Sequence, residues 1–386
     1  MFRRLLEDYP EKRRNLRVTG LRGVGKTVLL KEFQKIAGDF DWVVVRRDLG
    51  PRLRDEEDFA IAMTSYFQEA LKELSSGQRV KQKVAAAAAS IEEITLPFVG
   101  GVKLKSRGVN AVLEDRLSKA LIEIGQIARK EGRGVTFLFD EAHSMSDDKT
   151  RKQRPLGSLL SAFVAAQDDD DEPLPVMLVL CGLPPLVGNI HAAKSNAERF
   201  FRGLEITNLP LAPKADADLS EAALALTRPA EEQGKITFAP GLAERIAHDV
   251  DGYPYFIQWF GEQLWEAADF EEKAVIDEQL YEKNQDEIRE ALDKEFFEPR
   301  YRDARPADQK TLRMAASLDG ETFSLTSVVG IDGRSEGAID QSLRRLIKDN
   351  LVFRDERGVY AYTAPVFGDF LRRAHPPLPE DSRTAG

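Results

Sequence analysis

One octapeptide restricts this chain more than anything else in it. Gly20-Leu-Arg-Gly-Val-Gly-Lys-Thr27 fits the pattern G-x-x-x-x-G-K-[ST]. It stands between a short apolar run, Leu16–Thr19, and a stretch, Lys26–Ile36, whose apolar residues recur at three- and four-residue spacing. A strand, a glycine loop and a helix in that order form a phosphate cradle. Glycines let backbone N–H groups turn inward, and the start of the helix adds its positive partial charge. Lys26 then supplies a point charge and Thr27 a hydroxyl suited to magnesium. The phosphate-facing set is Gly20, Arg22, Gly23, Val24, Gly25, Lys26, Thr27 and Val28.

Such a loop belongs to an open parallel sheet, and the first two hundred residues have the matching βα alternation. Strands are predicted at Leu16–Thr19, Trp42–Arg46, Val135–Phe139, Val176–Cys181 and Leu204–Leu209. Helices are predicted at Lys26–Ile36, Glu57–Glu73, Ala111–Lys130 and Leu156–Ala166. The alanine run Ala85–Ala89, then Ile91–Leu96, Gly100-Gly101 and Val102–Lys105 read as an inserted β-hairpin over about 85–108, turning at the two glycines. Lys103, Lys105 and Arg107 would share one face of its second strand, as a solvated edge or a surface for a nucleic-acid backbone. The acidic run Asp168–Glu172 reads as a solvated loop. After Leu211 the pattern becomes wholly helical, at Asp218–Gln233, Gly241–Val250, Tyr255–Ala268 and Ile276–Phe296. From Arg305 to Arg373 the order is three helices, then two strands around Asp355–Gly358, which reads as a winged helix. The tail from Pro376 is expected to be disordered.

A second acidic element completes the phosphate site. Val135-Thr-Phe-Leu-Phe139 is an apolar strand that delivers Asp140 and Glu141 at its C-terminal end, where open α/β sheets bind ligands. Asp140 would hold magnesium, and Glu141 would orient and polarise an attacking water. His143 reads as a solvated loop residue, with a contact to the γ-phosphate region as the alternative.

Composition narrows the remaining classes. The net charge of −10 gives no long-range pull toward polyanions, so nucleic-acid binding would need a local basic patch. In helix Ser335–Lys348, Ile339, Leu343, Leu346 and Ile347 form the inward face, while Glu336 and Asp340 sit among Arg344, Arg345 and Lys348 outside. That mixed face favours packing or partner docking over DNA reading. No apolar run is long enough for a membrane span, and the N-terminus lacks an export signal. One cysteine, Cys181, and four scattered histidines offer neither a disulfide nor a second metal site. A cytoplasmic protein is expected.

The glycine loop Arg22-Gly-Val-Gly-Lys-Thr-Val-Leu-Leu30, the acidic strand end and Gly252-Tyr-Pro254 together resemble the origin-recognition-like AAA+ ATPases. Prokaryotic relatives near the STAND class of signalling NTPases are similar too. The resemblance spans nearly the whole chain. It implies an α/β P-loop ATPase core over 1–213, a helical lid over 214–300, a winged helix over 301–375 and a tail over 376–386. It implies ATP with Mg2+ as cofactors and a lid in which Gly252 and Pro254 close over the nucleotide, unless they merely break a helix. Arg199, in Glu198-Arg-Phe-Phe-Arg202, would be an arginine finger reaching a neighbouring subunit, unless it is a surface residue. Three departures stand out. The base-contacting segment that precedes the loop in similar proteins is short here, Cys181-Gly-Leu-Pro-Pro185 replaces the usual polar sensor, and no arginine directly follows Pro254. Slow hydrolysis follows from the altered sensor. The resulting expectation is a nucleotide-dependent switch that hydrolyses ATP, with output through the winged helix or a protein partner, and with a homo-oligomer or a protein as its partner. The alternatives are an initiator-like DNA-binding ATPase and a non-hydrolysing scaffold.

Overall fold

The computed structural model describes residues 1–7, 9, 15–75, 81–96, 98, 106–167, 174–194, 197–233, 236–318, 320–354 and 358–377. Two compact units divide the chain: Met1–Gly20 with Lys26–Ile206, and Leu21–Gly25 with Thr207–Gly386.

The first unit runs α1 (Phe2–Glu7), β1 (Asn15–Gly20), α2 (Lys26–Asp39), β2 (Val43–Asp48), α3 (Glu56–Leu74), α4 (Lys81–Glu92), α5 (Ser106–Lys130), β3 (Val135–Asp140), α6 (Pro155–Gln167), β4 (Val176–Gly182), α7 (Pro185–Ala193) and β5 (Phe201–Ile206). Its five strands are all parallel, in the order β2-β3-β4-β1-β5. Every residue of β3 and β4 is buried, which explains their unbroken apolar runs: helices cover both faces of the sheet. Alternate side chains divide between two cores. Phe137, Phe139, Leu178 and Leu180 join the α3, α5 and α6 side, while Leu138, Met177, Val179 and Cys181 join the side of α1 and α2.

Among the described residues, the first strand of the expected hairpin is absent. Lys81–Glu92 is helix, a 3-10 turn covers Glu93–Thr95, and helix resumes at Ser106, so Arg107 lies in α5 rather than on a strand. Five consecutive alanines have the strongest helix preference of any residue and no side chains for a pleated face to pack. Gly100, Gly101, Lys103 and Lys105 lie outside the described residues, as does Asp168–Glu172. The fifth strand begins three residues earlier than the apolar run Leu204–Leu209 suggests, because β5 is an edge strand with mixed exposure.

The second unit contains α8 (Glu221–Gln233), β6 (Thr237–Phe238), α9 (Leu242–Asp249), α10 (Pro254–Phe270), β7 (Val275–Ile276) and α11 (Glu278–Leu292). It is not wholly helical, since β6 and β7 pair in parallel. Pro229 inside α8 cannot donate to the Ala225 carbonyl, and Gln258 of α10 supplies that hydrogen bond at 3.1 Å. A π-helical turn over Asp293–Phe297 leads into α12 (Glu298–Asp303). Then come α13 (Pro306–Ala316), β8 (Thr322–Phe323), α14 (Leu325–Asp332), α15 (Glu336–Lys348), β9 (Val352–Arg354), β10 (Tyr360–Tyr362) and α16 (Phe367–Ala374). The last three strands form an antiparallel sheet in the order β8-β10-β9. Phe297 stacks on Phe370 at 5.2 Å and meets Phe256 at 5.9 Å, so one aromatic core crosses the boundary expected at 300/301.

Candidate nucleotide site

The sheet order decides the site. β1 leads into the glycine loop, β3 ends in the acidic pair, and β4 lies between them. The ends of three neighbouring parallel strands therefore meet at one edge, where such sheets bind ligands. Gly23 and Gly25 have φ of +82° and +91°, in the left-handed region that side chains with a Cβ avoid, so the loop's path depends on glycine.

Two side chains at the start of α2 face this edge. Lys26 is 6% exposed, and its ammonium donates to the Gly20 carbonyl at 3.1 Å. The Thr27 hydroxyl donates to Asp140 Oδ2 at 2.6 Å, joining the helix start to the end of β3. The other Asp140 oxygen accepts from the Glu141 N–H at 2.9 Å. A hydroxyl and a carboxylate this close are hard oxygen donors. Two adjacent ligands of an octahedral magnesium stand about 2.9 Å apart at its usual bond lengths, so the pair needs only a small adjustment to hold the ion.

Behind them, Cys181 at the end of β4 is fully buried. Burial pushes its thiol far above the ordinary value, with the Asp140 carboxylate adding to the rise and Lys26 opposing it. The thiol at this strand end is thus held in its neutral form.

Glu141 follows at φ +53° and ψ +24°, a left-handed conformation that glutamate rarely adopts. Its side chain is 48% exposed. His143, in the 3-10 turn Ala142–Ser144, is not a solvated loop residue: its side chain is 3% exposed, and its Nε2 lies 3.5 Å from Glu141 Oε2. The sequence could not reveal this, because the room for the ring is supplied by Gly182 on a different strand. Arg54 and Asn189 were equally invisible. The first donates to the Ser144 carbonyl at 2.6 Å and the second to the His143 and Met145 carbonyls at 2.9 Å each, so both brace the acidic turn.

The remaining expected residues have surroundings of their own. Val28 is 62% exposed on α2. Arg199 is exposed in a 3-10 turn just before the edge strand β5, and Arg202 is exposed on that strand. Within the second unit, Arg22 donates its N–H to the Thr363 carbonyl at 3.0 Å and accepts from the Tyr253 hydroxyl. Val24 is buried there. Gly252, at φ +63°, accepts a hydrogen bond at its carbonyl from the Leu209 N–H at 2.8 Å and leaves no space for a Cβ against the Leu209 carbonyl. Pro254 is the first residue of α10, where its fixed φ suits a helix start. Arg300 was not anticipated. Burial first, then the like charge of Arg22, lowers its pKa below the usual guanidinium value.

Solved structures share this architecture. Aeropyrum pernix ORC2, with ADPNP and ADP, is 13% identical over 96% of this chain and 91% of its own, with a TM-score of 0.53. Its ADP form gives 13% identity, 96% and 93% coverage and a TM-score of 0.51. The chain shares the fold of these ORC2 structures, with a parallel five-stranded α/β core. The Thermotoga maritima RuvB Holliday junction branch migration motor also matches, at 14% identity over 98% and 95% of the two chains, with a TM-score of 0.44. A family described as a domain of unknown function, DUF8462, matches residues 294–371. No curated protein matches in sequence. Among the described residues, no helix is long and apolar enough to cross a membrane.

Proposed function

We propose that this protein binds Mg·ATP at the glycine loop and hydrolyses it slowly, acting as a nucleotide-dependent switch. The observation that carries this reading is the meeting of Thr27 and Asp140 at 2.6 Å, with buried Lys26 beside them, from two elements far apart in sequence. Lys26 holds the β- and γ-phosphates, the loop amides of residues 20–25 surround the phosphate chain, and Thr27 with Asp140 holds the metal. Magnesium, when bound, neutralises charge between the β- and γ-phosphates. Glu141 orients the attacking water and draws its proton. Phosphoryl transfer needs mostly positioning and charge, so these four side chains are a sufficient minimal set. Arg199 on the exposed rim suits a finger offered to a second copy, and residues 214–300 with Gly252 and Pro254 suit a nucleotide-responsive lid. Adenine selectivity comes with the family likeness. The setting is cytoplasmic, in keeping with the free thiol of Cys181.

Residues 301–375, with helices and a small antiparallel sheet in winged-helix order, are the proposed output surface for a protein partner. Two arginines that would read DNA from α15 are otherwise engaged. Arg344 pairs with Asp340 at 2.7 Å, and Arg345 grips buried Asp308. These pairings weigh against the initiator-like reading.

Calorimetry with Mg·ATP, alongside phosphate release, tests the proposal. Lys26→Ala should abolish the binding heat, while Glu141→Gln should keep it and stop turnover. A Glu141→Gln chain releasing phosphate at the wild-type rate would remove that residue from the chemistry. Binding without any turnover in the wild type would make the protein a non-hydrolysing scaffold.

A further inference from the structure

The acidic turn carries an imidazole that the proposed chemistry leaves without a task. Glu141 ends in a long, half-exposed side chain with three rotatable bonds, which by itself would point in many directions. His143 is the reverse, a polar ring sealed at 3% exposure in a turn fixed from several sides. The turn closes on itself through the Ser144 N–H to the Glu141 carbonyl at 2.8 Å. Asn189 of α7 holds the His143 and Met145 carbonyls, and Arg54 holds that of Ser144. The ring then lies against the last residue of β4. A Cβ on Gly182 would meet the His143 backbone nitrogen at 2.9 Å and Nδ1 at 3.1 Å, so the space the imidazole occupies exists because position 182 is glycine. From that fixed seat Nε2 stands 3.5 Å from Glu141 Oε2. A small rotation of the exposed carboxylate closes that distance to a hydrogen bond. Glu141 carries that carboxylate on a left-handed backbone.

We propose that His143 is a positioning residue: its buried imidazole aims the Glu141 carboxylate at the water-binding edge, with Gly182 providing its berth. This deepens the ATPase reading and rests on it. A charged residue that must activate water needs a direction as well as a charge, since displacement of a reacting group by about 1 Å costs on the order of a hundredfold in rate. A ring anchored on three elements supplies that direction.

Steady-state ATP hydrolysis by the full chain tests the assignment. His143→Ala should lower kcat about tenfold to a hundredfold, with the KM for Mg·ATP unchanged within about twofold. His143→Gln, whose amide can still donate, should recover most of the rate. On the residual single-turnover phosphate release that a Glu141→Gln background leaves after long incubation, His143→Ala should cost nothing further, because the two act as one unit. Gly182→Ala, which touches neither side chain's chemistry, should displace the ring and lower kcat in the same way. Equal losses with and without Glu141 would reveal a merely structural role and overturn the proposal, as would a wild-type kcat in His143→Ala. If the wild-type chain binds Mg·ATP but shows no turnover, the ATPase reading fails instead. The pairing is then read from the 15N shift of His143 Nε2, which must move on Glu141→Gln, and an unmoved shift overturns it.

Discussion

A glutamate at φ +53° is held against its own preference, and position 141 tolerates this because the turn behind it is braced. Such a residue costs on the order of 1 kcal/mol relative to an unstrained one. Glu141→Gly relieves the strain and loses some of the gain to chain entropy, so it should stabilise the fold by up to about 1 kcal/mol while abolishing turnover. Denaturant unfolding and phosphate release measure the two effects. A different balance holds at Asp308, where burial pushes the carboxyl pKa up but hydrogen bonds from Arg345 and Ser342 outweigh it and leave the value lowered. The folded pKa lies below the unfolded one, so the stabilisation is present above about pH 4 and drains away as pH falls through the folded value. Asp308→Asn should therefore be the less stable protein at neutral pH, with the difference shrinking in acid. Arg345→Leu leaves a buried carboxylate without its partner and should cost about 3 kcal/mol at neutral pH.

Among the elements, α8 and α10 show how one irregularity is compensated. Pro229 removes a donor from the middle of α8, and Gln258 reaches across to the Ala225 carbonyl left behind. Gln258→Ala should cost about 1 kcal/mol. In a Pro229→Ala background, where α8 can bond that carbonyl itself, the same substitution should cost almost nothing, and thermal unfolding of the four proteins measures this coupling. The elements that carry the site were legible in the sequence because their signals are local and mutually consistent. β3 and β4 are continuous apolar runs, α2 begins at the last residues of the glycine motif, and Asp140 falls at a strand end. The region from 81 to 106 was misread because two glycines and flanking Ile, Leu and Val residues looked like strand punctuation. The helical spacing of Val84, Ala87, Ile91 and Ile94 is muted by the alanines between them, and the alanine preference is the plainer pointer to α4. Burial of His143 depended on Gly182, and bracing by Asn189 and Arg54 on chain crossings; no local pattern encodes a neighbour brought in by sheet order.

For the whole molecule, ligand binding and stability are linked. Mg·ATP at a hundred times its Kd should add about 2.7 kcal/mol to the stability of the binding-competent fold. Glu141→Gln should show the same increment and Lys26→Ala none, read as shifts in thermal midpoint. With two compact units in one chain, the shift is best followed by a probe inside the first unit, since a single transition is not guaranteed. β4 contains such a probe. Cys181 is the only sulfhydryl in 386 residues, fully buried, and its neutral form is favoured by burial and by Asp140. A thiol reagent can reach it only when the central strand parts from its neighbours. The rate of one-to-one labelling therefore clocks how often the sheet opens at the very edge where phosphates would sit, and a tightly held nucleotide would slow that clock without any tag or mutation being introduced.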